Sequence, residues 1–303
     1  QRLASFSSLL SSIGFIIITF IILLPFHHDV LVRPKLTRVA ILAVDHGSAN
    51  AIKLQSGRVV LIDGGARSAP GFDCGSQIIA PYLWHSKISK VDDIIITHED
   101  ADHYNGIFKV IKRFKPERLW LPPLGSAKHG FSQLIDLARN RGIAIIFPEP
   151  GVIIEEKGDQ ISVLGGESGA DMENEDDRGL VLKLNSGKVS VLFPGDITKA
   201  REFELVTSAA PLKSSILLSP HHGSATSNSF AFLSAVSPET LVFSSGKSGK
   251  FPSQETLVTA QQLDIPTLNT SEAGTITIEI SADGSGYQLF TANESQGSYW
   301  RSG

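Results

Sequence analysis

The densest chemistry in the sequence is the run Thr97-His98-Glu99-Asp100-Ala101-Asp102-His103, which sets four potential metal ligands, His98, Asp100, Asp102 and His103, within six residues. Imidazole mixed with carboxylate is a donor set for Zn, Mn or Fe, and its high share of oxygen leans toward Mn. The run follows the apolar segment from Asp92 to Ile96 and precedes an amphipathic stretch, so it turns from a strand into a helix. His98 and Asp100 share one side of an extended segment, as alternate residues do. Asp102 and His103 turn with the loop and can serve a second ion. Helix capping would use one such aspartate, Asp102 for example, but explains neither the two histidines nor the second aspartate.

Two later clusters offer what a metal centre on a sheet edge would need. Phe193-Pro194-Gly195-Asp196 ends a hairpin, where a carboxylate could bridge two ions. Ser219-Pro220-His221-His222-Gly223-Ser224 follows the apolar strand Ile216 to Leu218 and places two imidazoles at its end. Alone, a Gly-Asp pair reads as a turn and a His pair as surface. Three strand ends delivering His and Asp together read as one centre.

The elements that must carry these loops are short β-branched runs punctuated by turn residues. Strands are predicted at 39–44, 51–54, 59–62, 93–97, 118–121, 143–147, 161–164, 180–184, 189–193, 216–219, 241–244 and 275–280. Helical periodicity follows His103, with Ile107, Val110, Ile111 and Phe114 on one face, and recurs at 131–140, 198–206, 228–235 and 253–263. One internal repeat is informative: Ala51 to Gly64 and Val181 to Asp196 share the order strand, Ser-Gly turn, basic residue, strand, then an Asp beside a Gly. Two such hairpins about 130 residues apart are too far separated for a solenoid unit. They suit two pseudo-equivalent halves, each a sheet with helices on one face, packed as a four-layer sandwich with Asp63 and Asp196 at one edge.

Composition bounds the rest. With 303 residues, 42% hydrophobic, 19% charged and a net charge of -4, the chain is neither a disordered tail nor a protein coated in basic charge. Cys74 is the only cysteine, which excludes a disulfide scaffold and a Cys-rich zinc module, and it reads as a small buried hydrophobe before a helix. The sequence starts at Gln1 and its one methionine is Met172, so it is expected to be a piece of a longer chain. Leu9 to Phe26 is an uncharged stretch near the lower length limit for a membrane helix, with no small-residue cleavage pattern after it. Residues 1–37 are therefore read as a transmembrane helix and linker, and 38–303 as the sandwich domain. Arg33, Lys35 and Arg38 outnumber Arg2, which by the positive-inside rule alone would leave the domain in the cytoplasm.

The combination HxDxDH, then GD, then HHGS resembles the metallo-β-lactamase superfamily of hydrolases, in a variant where Asp100 stands at a position more often filled by His. The fuller match is to the C-terminal domain of the ComEC family of DNA-internalisation membrane proteins, and covers roughly residues 39–283. Its motifs are similar to Asp45 to Asn50, Ile62 to Gly65, Thr97 to His103, Gly195 to Ile197 and Pro220 to Ser224. The resemblance implies an α/β fold, the four-layer αββα sandwich of the metallo-β-lactamase type preceded by a transmembrane helix. It also implies two divalent metal ions, Mn or Zn. His98 and Asp100 would face one, Asp102, His103 and His222 the other, with Asp196 between them.

By the same resemblance Asp63 would orient a ligand, and His221 would be a proton donor or a group behind the ligands, the choice between it and His222 as ligand staying open, with Asp100 also in the reaction. Asp177, in the acidic run Glu173 to Asp177, would replace a further family histidine, the other reading of that run being a solvated charged loop. Ala49, Asn50 and Phe251 stand where the family has Gly, Asp and His. The implied activity is metal-dependent phosphodiester hydrolysis of DNA, one strand being degraded while the other crosses an inner membrane, with the domain on the extracytoplasmic side and other competence proteins as partners. Lys109, Lys112, Arg113, Lys115 and Arg118 read either as a phosphate-binding patch or as the outer face of a helix. The competing readings are a hydrolase of a small ester, lactone or phosphodiester, and a non-catalytic DNA- or partner-binding domain with a degraded site.

Overall fold

A computed structural model of the chain describes residues 36–66, 72–124, 128–165, 174–247, 249–293 and 299–302. The apolar stretch from Leu9 to Phe26 lies outside them, and among the described residues no helix is long and apolar enough to cross a membrane.

The first half of the chain lays down β1 (Thr37–Ile41), β2 (Asn50–Lys53), β3 (Val59–Ile62), β4 (Asp93–Ile95), β5 (Arg118–Trp120) and β6 (Ala144–Ile146). A second set follows: β7 (Gly151–Glu156), β8 (Asp159–Leu164), β9 (Val181–Ser186), β10 (Val189–Phe193), β11 (Ile216–Leu218), β12 (Thr240–Phe243) and β13 (Thr267–Asn269). Finally β14 (Ile276–Ile280), β15 (Gly286–Thr291) and β16 (Tyr299–Ser302) return to the first sheet and pair along β1.

The repeat seen in the sequence extends to whole half-sheets. From β1 to β6 the successive pairings run antiparallel, antiparallel, parallel, parallel, parallel. From β8 to β13 they run in the same order. Asp63 after β3 therefore corresponds to Asp196 after β10, and the His98 loop after β4 to the His221 turn after β11. Strand alternation then sorts the side chains into layers. Val60 and Ile62 point between the sheets, to meet Leu182, Val191 and Ile216 in a central core, while Val59 and Leu61 point out under the helices.

The outer layers form as helical spacing dictates. Ile107, Val110, Ile111 and Phe114 bury one face of Ile107–Phe114, and Phe131, Leu134, Ile135 and Ala138 one face of His129–Asn140, both against the first sheet. Truncating a fully buried ring such as Phe131 to Ala would cost about 3–5 kcal/mol. On the second sheet, Leu205, Phe232, Leu233, Val236 and Ala260 come from three helices, Lys199–Thr207, Phe230–Val236 and Gln254–Gln262. Each of these three starts on a capping hydroxyl, from Thr198, Ser229 and Ser253.

Three differences from the sequence reading have physical causes. Strands expected to run to Val44, Thr97 and Ser244 stop three, two and one residues sooner, because the chain leaves the ladder for side-chain partners, Thr97 N–H donating to Asp63 instead. β7 and β13 were not expected, being a half-exposed edge strand and a three-residue one. β15 and β16 were not expected either, since Gly, Gln and Thr dilute the β15 pattern.

Cys74 is fully buried, its thiol facing the Val44 carbonyl at 3.6 Å, and burial pushes it up to about 12. Because the thiolate is the reactive form, a thiol reagent at pH 8 should leave the native protein unmodified and label one site per chain in denaturant. Rapid labelling of the native protein would contradict this packing.

Candidate metal centre

Asp63 organises the first loop. It adopts a left-handed backbone (φ 61°) that turns its carboxylate back under the end of β4. Oδ1 accepts from Thr97 N–H at 2.8 Å, and Oδ2 accepts from the Thr97 hydroxyl at 2.8 Å and faces His103 Nδ1 at 2.8 Å. The Thr97 oxygen, having given its proton to Asp63, lies 3.0 Å from His98 Nδ1 and accepts from it. Both imidazoles therefore spend Nδ1 on the scaffold and keep Nε2 for the site, the arrangement that outer partners impose on metal-binding histidines.

The second half supplies the opposite wall. His221 and His222 sit in a tight turn after β11, both with left-handed backbone (φ 49° and 56°). Such conformations cost non-glycine residues about 1–3 kcal/mol each and persist where the surroundings require them. Gly47, at φ +83°, lets the loop after β1 press on the first metal-motif loop. A Cβ there would stand 1.8 Å from the Asp102 carbonyl oxygen.

These loops converge on Asp196. Its Oδ1 is 3.3 Å from His103 Nε2, and its Oδ2 is 3.3 Å from His222 Nε2, and 3.9 Å from both His98 Nε2 and His221 Nε2. His222 Nε2 also lies 3.8 Å from Asp102 Oδ2, and His98 Nε2 4.0 Å from Asp100 Oδ2. The Nε2 atoms of His98, His103 and His222 are buried without a hydrogen-bond partner. Buried polar atoms are nearly always satisfied, and three convergent lone pairs among carboxylates fit a cation. The donor atoms form three ligand-sized groups: His98, His103 and Asp196; Asp102, His103 and His222; and His98, Asp100 and Asp176.

The electrostatics are those of a site built around positive charge. Burial and the neighbouring His103 push His98 down to about 4, leaving it a neutral ligand. Burial opposes charge on His103, but Asp196 and Asp63 outweigh it and hold the imidazole well above the usual histidine range. Burial likewise disfavours the Asp196 anion, yet His222, His103 and His98 hold it well below the usual carboxylate range. Burial together with Asp196, Asp100 and Asp177 pushes Asp176 up to about 6.

The structure thus brings together His98, Asp100, Asp102, His103, Asp196 and His222, with Asp63 behind them and His221, partly exposed, at the mouth. Asp177 lies outside the three ligand-sized groups. Both its oxygens accept from Thr198, N–H at 2.7 Å and hydroxyl at 2.9 Å, ahead of the helix Lys199–Thr207. Its neighbour Asp176 carries the carboxylate that joins His98 and Asp100. Lys128 had no signal in the sequence, standing 28 residues from its partner. It bridges Asp100 and Glu175 and so ties the acidic loop to the first motif. Asn50 stays buried in the same inner wall as Asp63, His103 and Asp196.

The basic run does not frame the site. Lys109 reaches Asp73 at 3.9 Å, Arg113 lies over Trp84, and Arg118 pairs with Asp93 at the opposite end of β4 from His98. The five residues decorate a helix face and a strand start. A cleft of about 140 Å³ opens instead over Asp100, Asp102, Asp196, His221 and His222.

Removing the side chain of His222 separates strain from ligation. In metal-stripped protein, His222→Gly should be about 1 kcal/mol more stable to urea than His222→Ala, because only glycine adopts this backbone freely. Equal stabilities would show that the turn is relaxed.

Comparison with known proteins agrees with this geometry. The profile of the metallo-beta-lactamase superfamily matches residues 43–247. ComE operon protein 3 of Bacillus subtilis (strain 168) is 30% identical over 233 residues, 73% of this chain and 30% of that protein. Competence protein ComA of Neisseria gonorrhoeae is 29% identical over 179 residues, 55% of this chain and 22% of that one. The chain thus spans less than a third of the length of either relative. Among solved structures, the metallo-beta-lactamase fold protein YhfI of Bacillus subtilis superposes with a TM-score of 0.50 at 11% identity, covering 77% of this chain and 95% of that one.

Proposed function

The chain belongs to the metallo-β-lactamase superfamily, and from that premise we propose that its domain is the metal-dependent phosphodiester hydrolase of a ComEC-type DNA-uptake membrane protein, cutting DNA during transformation. The observation that carries the reading is the convergence of three buried, unpartnered imidazole nitrogens on Asp196. The competence relatives support the setting. In this reading the domain works at the inner membrane on its extracytoplasmic side, beside other competence proteins.

His98, Asp100 and Asp176 would hold one divalent ion, and Asp102, His103 and His222 the other, with Asp196 between them. When bound, such a pair, Mn or Zn, supplies water ionised near neutral pH and neutralises charge building on a phosphate. The chain's own groups do the rest. Asp63 and Thr97 hold the two first-loop imidazoles in the tautomer that presents Nε2. Burial works against ionisation of Asp100, but Lys128 outweighs it and keeps the carboxylate charged and able to ligate, and in this reading Asp100 also takes part in the reaction. His221, at the cleft mouth 3.9 Å from Asp196 and outside the three ligand-sized groups, is placed to give a proton to the departing alkoxide.

A small ester or phosphodiester is the second reading. The modest cleft and the position of the basic run away from it favour that alternative.

Elemental analysis of the purified domain should find about two ions per chain. Single- and double-stranded DNA should then be cut in added Mn or Zn, in a salt-sensitive manner. Asp102→Asn and His103→Ala should each lose metal and cut DNA at least about 100-fold more slowly, exceeding the losses typical of groups behind the ligands. Unchanged metal content and activity in both variants would refute the assignment. Hydrolysis of a chromogenic ester with no action on DNA would select the second reading, and a chain that holds no metal would be a binding module.

A further inference from the structure

Four carboxylates line the cleft over the metal centre, those of Asp45, Asp100, Asp102 and Asp196. Lys250 is the one lysine or arginine among its described lining residues. Its ammonium lies 4.9 Å from the centroid of the Phe251 ring, within the range of a cation–π contact, and no carboxylate among the described residues pairs with it. The Phe251 ring in turn stands 6.2 Å from the ring of His221 and 6.1 Å from that of His222.

This rim is joined to the centre by backbone. Ser253 N–H donates to the Gly223 carbonyl at 2.8 Å, so the loop that carries Lys250 is tied to the turn that presents both histidines. The packing is equally close: a Cβ at Gly223, where φ is +92°, would stand 2.6 Å from Pro252 Cβ. Phe251, at the position where the resemblance leads one to expect a histidine, acts here as an apolar seat for a charge.

We propose that Lys250, seated on Phe251, binds a phosphate adjacent to the scissile one, so that the site selects a polynucleotide over a small ester. The inference rests on the phosphodiester-hydrolase reading and deepens it. Two divalent ions would do little more than offset the four carboxylates that would hold them, Asp100, Asp102, Asp176 and Asp196, which leaves a substrate's neighbouring phosphate to be met by protein. A polynucleotide presents such a phosphate at every step, and a small ester has none. The lysine replaces the run at Lys109 to Arg118 as the cationic element at the site.

The test compares the full chain with Lys250→Met, which keeps an apolar stem on Phe251, and with Lys250→Arg. Binding of a fluorescein-labelled single-stranded oligonucleotide is followed by anisotropy in calcium. Cleavage of that oligonucleotide and of bis(p-nitrophenyl) phosphate, a diester with no neighbouring phosphate, is followed in manganese. Lys250→Met should weaken oligonucleotide binding about 5- to 10-fold and lower the slope of log Kd against log salt by about 0.7 to 1. The ratio of kcat/KM for oligonucleotide to that for the small diester should fall by a similar factor, and Lys250→Arg should restore most of both. Wild-type affinity, salt slope and substrate ratio in Lys250→Met would overturn the proposal while leaving the hydrolase reading intact. A wild-type chain that cleaves neither substrate would overturn both.

Discussion

Imidazole nitrogens cannot be buried against one another without something to share. His98, His103 and His222 each bring a lone pair to the space around Asp196, and none finds a hydrogen-bond donor there. Leaving a buried polar atom unsatisfied costs about 1–3 kcal/mol. Three in one place, beside the anions of Asp100, Asp102 and Asp196, form an arrangement that bound cations would relieve. Much else at this edge of the sandwich serves that end: the carboxylate of Asp63 behind two of the rings, the Lys128 bridge across the loops, and the strained turn at His221 and His222.

Pseudo-symmetry explains how residues more than a hundred positions apart in sequence come together. Each half runs two antiparallel pairings and then switches to parallel ones. At the switch, the chain leaving the last antiparallel strand and the chain leaving the first parallel one emerge side by side at the same sheet edge, where open α/β sheets place their ligand sites. In the first half those exits carry Asp63 and the His98 loop, in the second Asp196 and the histidine turn. Facing the sheets then sets four loops around one point. The halves have diverged in role, since Asp63 supports imidazoles from behind while its counterpart Asp196 stands in the centre.

Much of this was legible in the residues themselves, because alternation and helical spacing report which faces are buried. The strand Val59 to Ile62, the hairpin repeat and the helix face of Ile107 to Phe114 all follow from patterns that local physics enforces. The convergence of His and Asp side chains was legible for a related reason: His and Asp in excess at strand ends serve no packing purpose. What escaped depended on contacts remote in sequence. Asp176 and Asp177 are adjacent acids, and only the position of Thr198 decides which is consumed by the scaffold and which is left for the site. Lys128 gains meaning solely from where the helix at His129 begins. The basic run from Lys109 to Arg118 left two readings open, because Lys109, Arg118 and Arg113 meet Asp73, Asp93 and the Trp84 ring, which the sequence does not place.

Anomalous diffraction at the manganese edge, from crystals of the domain grown with that ion, tests the central claim most directly. Two peaks should flank Asp196, one among His98, Asp100 and Asp176 and the other among Asp102, His103 and His222. A map with no peak at Asp196, or with the ion held elsewhere and these imidazoles turned to other partners, would contradict it.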